Sequence, residues 1–324
     1  MLKNFSYQWH VDCRATLFNA AELLQSSIQR TTTMPSNKSK NTPQAPTAAT
    51  AATTASTTPQ RDHAPLENEL LKRLYAEMLR CRLVLESAAA QARASRSRLR
   101  PAIGREAIEV GCVIEFEADD VALCPETSVA APLVLGSPVD SIVAQFAKRT
   151  PLTPATQIVS LPGSADALAV AAGIGYGFRQ LKKSNVVFAL DAGTAPPHAR
   201  DAFALVARDR LPVVAVLENL GKDSHPARLV EAGRKHGVPC ITVDANDAVA
   251  VYRVAREAIH RARTGRGGTI IDCYPLPLPG NRPTDGLAAM EQYMKRFGIW
   301  SDDWKEELRM RFGADLKQRS RPAQ

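Results

Sequence analysis

Apolar positions first recur with helical spacing at Leu66, Leu70, Leu74 and Met78, with Leu71, Tyr75, Leu79 and Leu83 as a second row beside them. Rows four residues apart lie on one face of an α-helix, so LENELLKRLYAEMLRCRLVLESAAAQARA predicts a helix of about seven turns with a wide apolar stripe. IGREAIEVGCVIEF predicts a second helix opening at Gly104. The Ala- and Gly-rich segment from Leu168 to Phe178 predicts a helix pressed closely against another backbone. The period then changes. NVVFALD (185–191) is a short continuous apolar run ending in Asp, the pattern of a buried parallel strand. LPVVAVLEN (211–219), VPCITVDAND (238–247) and GGTIIDCY (267–274) repeat it. Between these runs lie the helical stretches ARDAFALVARDR, preceded by two prolines, LVEAGRKHG, stopping at Gly237, and AVAVYRVAREAIHRARTG, ending at Gly265. The tail from Asp285 to Leu316 reads as helical and amphipathic.

Strands alternating with helices predict an α/β fold, a doubly wound parallel sheet with helices on both faces. Ligands of such sheets bind at the carboxyl ends of the strands. Those ends are Asp191-Ala192-Gly193, Glu218-Asn219-Leu220 and Asp244-Ala245-Asn246-Asp247. Oxygen ligands at the first two could hold a magnesium ion bound to a diphosphate. The helix start beyond Pro197 would favour phosphate charge. The simpler alternative is that each Asp or Asn caps the helix that follows, and this reading is preferred for Asn246 and Asp247.

Residues 1–65 change the picture at the front. In the stretch 31–60, ten Thr, six Ala, four Pro and three Ser leave little to bury, so the region is expected to be a disordered tail. The folded domain is expected over 66–324. Residues 1–30 carry some amphipathic character; either residues 1–33 form a mitochondrial-type presequence, which Asp12 and Glu22 oppose, or translation starts at Met34. No run approaches the length of a membrane-spanning helix. The six Cys lie far apart with no Cys-x-x-Cys, which disfavours a zinc ribbon, a thioredoxin-type site or a disulfide framework and fits a reducing compartment. A cytoplasmic location is expected, with the mitochondrial matrix as the alternative. The net charge of +8 is spread along the chain without an arginine cluster, so nucleic acid is not an expected partner.

From about Leu66 to Leu316 the chain resembles the alpha subunit of thiamine diphosphate-dependent 2-oxo acid dehydrogenases, the pyruvate, branched-chain and acetoin group. The likeness rests on Tyr75, Met78 and Arg82 in the opening helix, and on Gly104-Arg105-Glu106-Ala107 where the family has Gly-Gln-Glu-Ala. It continues through Ala171-Ala172-Gly173-Ile174-Gly175-Tyr176, Leu211-Pro212-Val213-Val214 with Glu218-Asn219, and Val243 to Asp247 with Ala262 to Thr269. The resemblance implies a thiamine diphosphate-binding fold. It also implies a heterotetramer with a beta-type subunit, thiamine diphosphate and magnesium as cofactors, oxidative decarboxylation of a 2-oxo acid, and acyl transfer to a lipoyl acyltransferase core. By the same resemblance Asp191, Ala192, Gly193 and Asn219 are the cofactor-binding candidates, with Asp191 and Asn219 as metal ligands and no residue of this chain assigned as catalytic.

Departures from the family pattern fall on that chemistry. The metal motif Gly-Asp-Gly-Ala reads Leu190-Asp191-Ala192-Gly193 here, and its later Glu and Gly are Pro196 and Pro197. The second metal ligand, the last Asn of Glu-Asn-Asn, falls on Leu220; Asn219 serves only if the strand end shifts by one residue. The diphosphate-binding Tyr-Arg-x-His run falls on Ala122 to Val129, which has neither Arg nor His, and the late Tyr-Arg…His-Ser loop is replaced by Pro275-Leu-Pro-Leu-Pro. His198 and His225 are expected at the surface, and Glu106 as a first-turn acid. Two readings follow: a working alpha subunit, or a non-catalytic relative of the same fold acting in assembly or regulation, paired with a beta-type subunit or with itself.

Overall fold

The computed structural model describes residues 66–147, 151–162, 166–191, 199–218, 226–275 and 285–319. The expected tail, residues 1–65, lies outside the described residues. Six parallel strands form one sheet: β1 (Val121–Pro125), β2 (Ile158–Leu161), β3 (Val187–Asp191), β4 (Val213–Glu218), β5 (Cys240–Asp244) and β6 (Thr269–Tyr274), in the order β2-β1-β3-β4-β6-β5. The helices are α1 (Asn68–Ala94), α2 (Glu106–Val113), α3 (Ala130–Val134), α4 (Val139–Phe146), α5 (Ala167–Gln180) and α6 (Ala199–Arg208). They continue with α7 (Pro226–Lys235), α8 (Ala248–Arg263), α9 (Gly286–Arg296) and α10 (Asp302–Arg319).

The four apolar runs are β3 to β6, as their continuous hydrophobicity predicts for strands buried on both faces. Their alternate residues serve two cores. Phe188, Leu190, Val214 and Val216 pack with Ile108, Cys112, Val251 and Ala255 of α2 and α8. Val187, Ala189, Val213, Ala215 and Leu217 pack with α5, α6 and α7 through Ala171, Phe203, Val206 and Leu229. The sheet is thus doubly wound. α1 forms a further layer over α2, where Leu74, Tyr75 and Met78 meet Met290 and Met294 of α9. Tyr75 stands edge-on to Trp300 at 5.0 Å and donates a hydrogen bond to Glu291 Oε1 at 2.9 Å. Of the predicted apolar rows, Leu66 and Leu70 are only partly buried and Leu83 lies at the edge of the stripe.

Strands β1 and β2 are additions to the sequence reading. Both are short, and each carries a residue poor in a strand interior or polar, Pro125 and Ser160, so neither forms a long apolar run. They decide where the site lies. The chain steps from β1 outward to β2, then crosses back to β3 on the other side and continues to β4. The strand order therefore reverses between β1 and β3, and the crevice for a ligand opens at their carboxyl ends. The amino ends are tied by Asp120, fully buried, which accepts from the N–H groups of Glu117 and Val186, each at 2.9 Å, and pairs with Arg263 of α8. The expected C-terminal helix is two helices, broken at Phe297-Gly298, where Gly298 has φ +69°.

Gly268, just before β6, sits where backbone meets backbone. A Cβ there would lie 2.5 Å from the Val213 carbonyl oxygen and 2.6 Å from Val206 Cγ1. A carbonyl held in a sheet cannot yield, so Gly268→Ala is expected to cost about 1–3 kcal/mol, the range of overpacked cores. Urea unfolding should show a lower midpoint with an unchanged slope.

Candidate functional site

The carboxyl ends of β1, β3 and β4 converge at the reversal of strand order. Asp191 closes β3 and stands in register with Leu217 of β4, so the predicted metal ligand is at the expected strand end. The side chain of Asp191, and the residues Ala192, Gly193, His198, Asn219, Leu220 and His225, lie outside the described residues. The described part of the site is the first turn of α2 and the groups it engages.

Arg105 immediately precedes α2. A cation at a helix N-terminus opposes the positive end of the helix dipole and needs an acidic partner. The partner is Glu218, the last residue of β4, whose side chain is 1% exposed. Arg105 Nη1 and Glu218 Oε2 are 2.8 Å apart, an ion pair without the alignment of a hydrogen bond. Glu218 in turn is in register with Cys273 of β6. The buried pair therefore joins α2 to the centre of the sheet, one residue before Asn219.

The next residue, Glu106, is also buried and also paired. Arg82 of α1 donates from Nε to Glu106 and from Nη2 to Asp285 Oδ2 at 2.9 Å. Asp285 caps α9, accepting from the N–H of Leu287 at 2.9 Å and of Ala288 at 3.2 Å. Burial works against the charge of Asp285. The two N–H groups and Arg82 outweigh it and hold the carboxyl below the usual range. Gly286 allows the close approach: a Cβ there would fall 2.9 Å from Ala107 Cβ. One guanidinium thus binds α1, α2 and α9 together. The expectation of Glu106 as a first-turn acid holds, with a partner from α1 added.

Glu109, one turn further, faces the loop after β1. It accepts from Ser128 Oγ at 2.6 Å and from the Ala131 N–H at 2.8 Å, so it caps α3 from another helix. Complete burial nonetheless pushes its pKa up. The stretch that lacks the Arg and His of the diphosphate run, Ala122 to Val129, covers most of β1 and the loop after it. The backbone of that loop is committed elsewhere: the Ala102 N–H donates to the Thr127 carbonyl at 3.0 Å, and Gln145 Nε2 to the Glu126 carbonyl at 2.7 Å. Cys112, Cys124 and Cys273 lie beneath this network. Burial first, then nearby acidic groups, raise their thiol pKa values, which makes them poor nucleophiles. At the third strand end, Asp247 caps α8 by accepting from the Ala250 N–H at 2.9 Å, as expected; Asn246 makes no such cap.

Sequence reasoning placed Glu106 and Asp191 but did not join Arg105 to Glu218 or Arg82 to Asp285. The available signal was the charge of Arg105 in a predicted first turn where the resemblance has a neutral Gln. Around that turn stand two guanidiniums and four carboxyl groups, those of Glu106, Glu109, Glu218 and Asp285.

Residues 76–276 match the family model described as "Dehydrogenase E1 component". The chain is similar to the pyruvate dehydrogenase E1 component subunit alpha of Acholeplasma laidlawii, 28% identical over 43% of this chain and 49% of the relative. It is similar to the subunit of the same name from Staphylococcus aureus strain Mu50, 26% identical over 45% of this chain and 48% of the relative. The matched stretch spans about half the length of these relatives.

The raised pKa of Glu109 fixes the sign of a pH effect. The unfolded carboxyl, near pH 4.3, loses its proton before the folded one, so this group's contribution to stability falls as pH rises above about 4. Glu109→Gln keeps an acceptor for Ser128 and Ala131 and removes the charge. Its stability relative to the parent should improve between pH 4 and pH 7 in denaturant melts; a gap independent of pH would contradict the assignment.

Proposed function

Because the chain belongs to the Dehydrogenase E1 component family, we propose that it is an alpha-subunit-type relative that keeps the family's frame and partner surfaces without carrying out cofactor chemistry. The observation that carries this reading is the buried Arg105–Glu218 ion pair at the end of β4. The family typically uses thiamine diphosphate, which when bound supplies the carbanion that attacks a 2-oxo acid.

The residues present do not fit that group with its magnesium. Of the metal-ligand positions, Asp191 matches and Leu220 has no side-chain oxygen to offer a hard cation. The cation of Arg105 is already balanced by Glu218, so a phosphate there would compete with a buried carboxylate. Ser128, in the stretch that aligns with the diphosphate run, donates its hydroxyl hydrogen bond to Glu109.

The role that remains is assembly or regulation beside a beta-type subunit, and through it an acyltransferase core; pairing with a second copy is the alternative. Support comes from the outer face of α5, where Ala169, Val170, Gly173 and Tyr176 are exposed and uncharged. Among the described residues no helix is long and apolar enough to cross a membrane. Five described cysteines are free thiols, four of them buried, which supports a reducing compartment such as the cytoplasm. The second reading, a working alpha subunit, is favoured by Asp191 at the reversal of strand order.

Calorimetry separates the two. Titration of the full chain with thiamine diphosphate and magnesium, alone and with a beta-type partner, is expected to give no heat of binding at millimolar cofactor. The partner itself is expected to co-purify with the chain. Micromolar cofactor binding that Asp191→Ala abolishes would establish the working alpha subunit instead.

A further inference from the structure

The far end of the sheet from the candidate site carries a surface of its own. The helices α5, α6 and α8 all end there, beside the starts of β3, β4 and β6. Arg179, Lys182, Lys183, Arg210 and Arg266 are all exposed at this edge, and none forms an ion pair with a described residue. They are neighbours in space. Arg179 Nη1 comes within 3.8 Å of the Cβ position of Gly265, and Arg210 Cα within 3.4 Å of that of Gly267, in the loop that holds Arg266. Lys182 and Lys183 follow at once, their N–H groups closing the end of α5 on the carbonyls of Arg179 and Phe178 at 3.1 and 2.9 Å.

Three acids of this edge are engaged, and Asp119 is exposed beside them. Asp209 accepts from Arg208 Nε and Nη2, each at 2.9 Å. Asp120 and Glu117 pair with Arg263. Cations at helix ends offset the dipole, which explains a few of these charges. It does not explain Leu181. That side chain, 69% exposed, stands between Arg179 and Lys182 and is the most exposed large hydrophobic among the described residues. Tyr176, 43% exposed, lies one turn back on the same helix. Apolar anchors inside a charged rim are the anatomy of a protein interface.

We propose that this edge is a docking surface for an acidic, amphipathic polypeptide segment, its carboxylates meeting the five cations and one apolar side chain covering Leu181. Charge complementarity selects the occupant. A second copy of the chain would bring the same five cations against these and be repelled. A nucleic acid would use the charges and leave Leu181 in water, and a lone leucine gives a membrane little to hold. The surface is at the opposite end of the strands from Asp191 and Glu218, so it works whatever the cofactor site does.

The test uses the full chain and a fluorescein-labelled synthetic peptide of alternating glutamate and leucine, followed by anisotropy at low salt. Binding is expected, weakened about tenfold in the triple variant Arg179→Glu, Lys182→Glu, Lys183→Glu and severalfold in Leu181→Ser. These positions are exposed, and unchanged circular dichroism and melting will show that the variants fold. A polyglutamate peptide lacking leucine should bind more weakly than the amphipathic one. The proposal is overturned if the charge-reversed chain binds the peptide as well as the parent does. It is equally overturned if Leu181→Ser is without effect, or if oligothymidylate or phosphatidylserine vesicles bind the parent more tightly than the peptide.

Discussion

The ion pair between Arg105 and Glu218 sets how the carboxyl end of this sheet is built. Arg105 stands at the wrong end of a helix for a cation, and Glu218 is a carboxylate with almost no contact with water. Neither charge is tolerable there alone. Together they fasten α2 to β4. The neighbouring charges then fall into place: Arg82 secures Glu106 and the cap of α9, and Glu109 caps α3. A set of acids clustered around one helical turn becomes a framework tying α1, α2, α3, α9 and the sheet.

This framework bears directly on function. A phosphate-binding site needs uncommitted donors, and a metal site needs uncommitted oxygens. The charge of Arg105 is balanced by Glu218, and the hydroxyl of Ser128 donates to Glu109. The fold keeps the shape of the Dehydrogenase E1 component family, and the described charges around the first turn of α2 pair with one another. At the opposite edge Arg179, Lys182, Lys183, Arg210 and Arg266 are exposed and form no ion pair with a described residue.

Much of this architecture was legible in the sequence for plain reasons. β3 to β6 are buried on both faces and so read as unbroken apolar runs, and α1 announces itself by rows of leucines four apart. β1 and β2 escaped because strands of five and four residues with Pro125 and Ser160 have no such run. The site was legible only in outline. Asp191 was assigned to the end of β3 and stands there, while Ala192, Gly193 and Asn219 fall outside the described residues. The pairs that give the site its character join residues far apart in the chain, as with Arg82 and Asp285, 203 positions apart. Periodicity carries no information about such pairs. What could have flagged them is local misfit: a charge in a buried first turn must have a partner somewhere.

A double-mutant cycle on Arg105→Gln and Glu218→Gln, read by denaturant unfolding of the full chain, tests this account most directly. Each single variant removes one side of a buried charge pair and is predicted to cost about 3–5 kcal/mol, while the double variant costs clearly less than the two losses together. Additive losses would mean that the two charges do not stabilise one another, and that the carboxyl end of the sheet is held by something else.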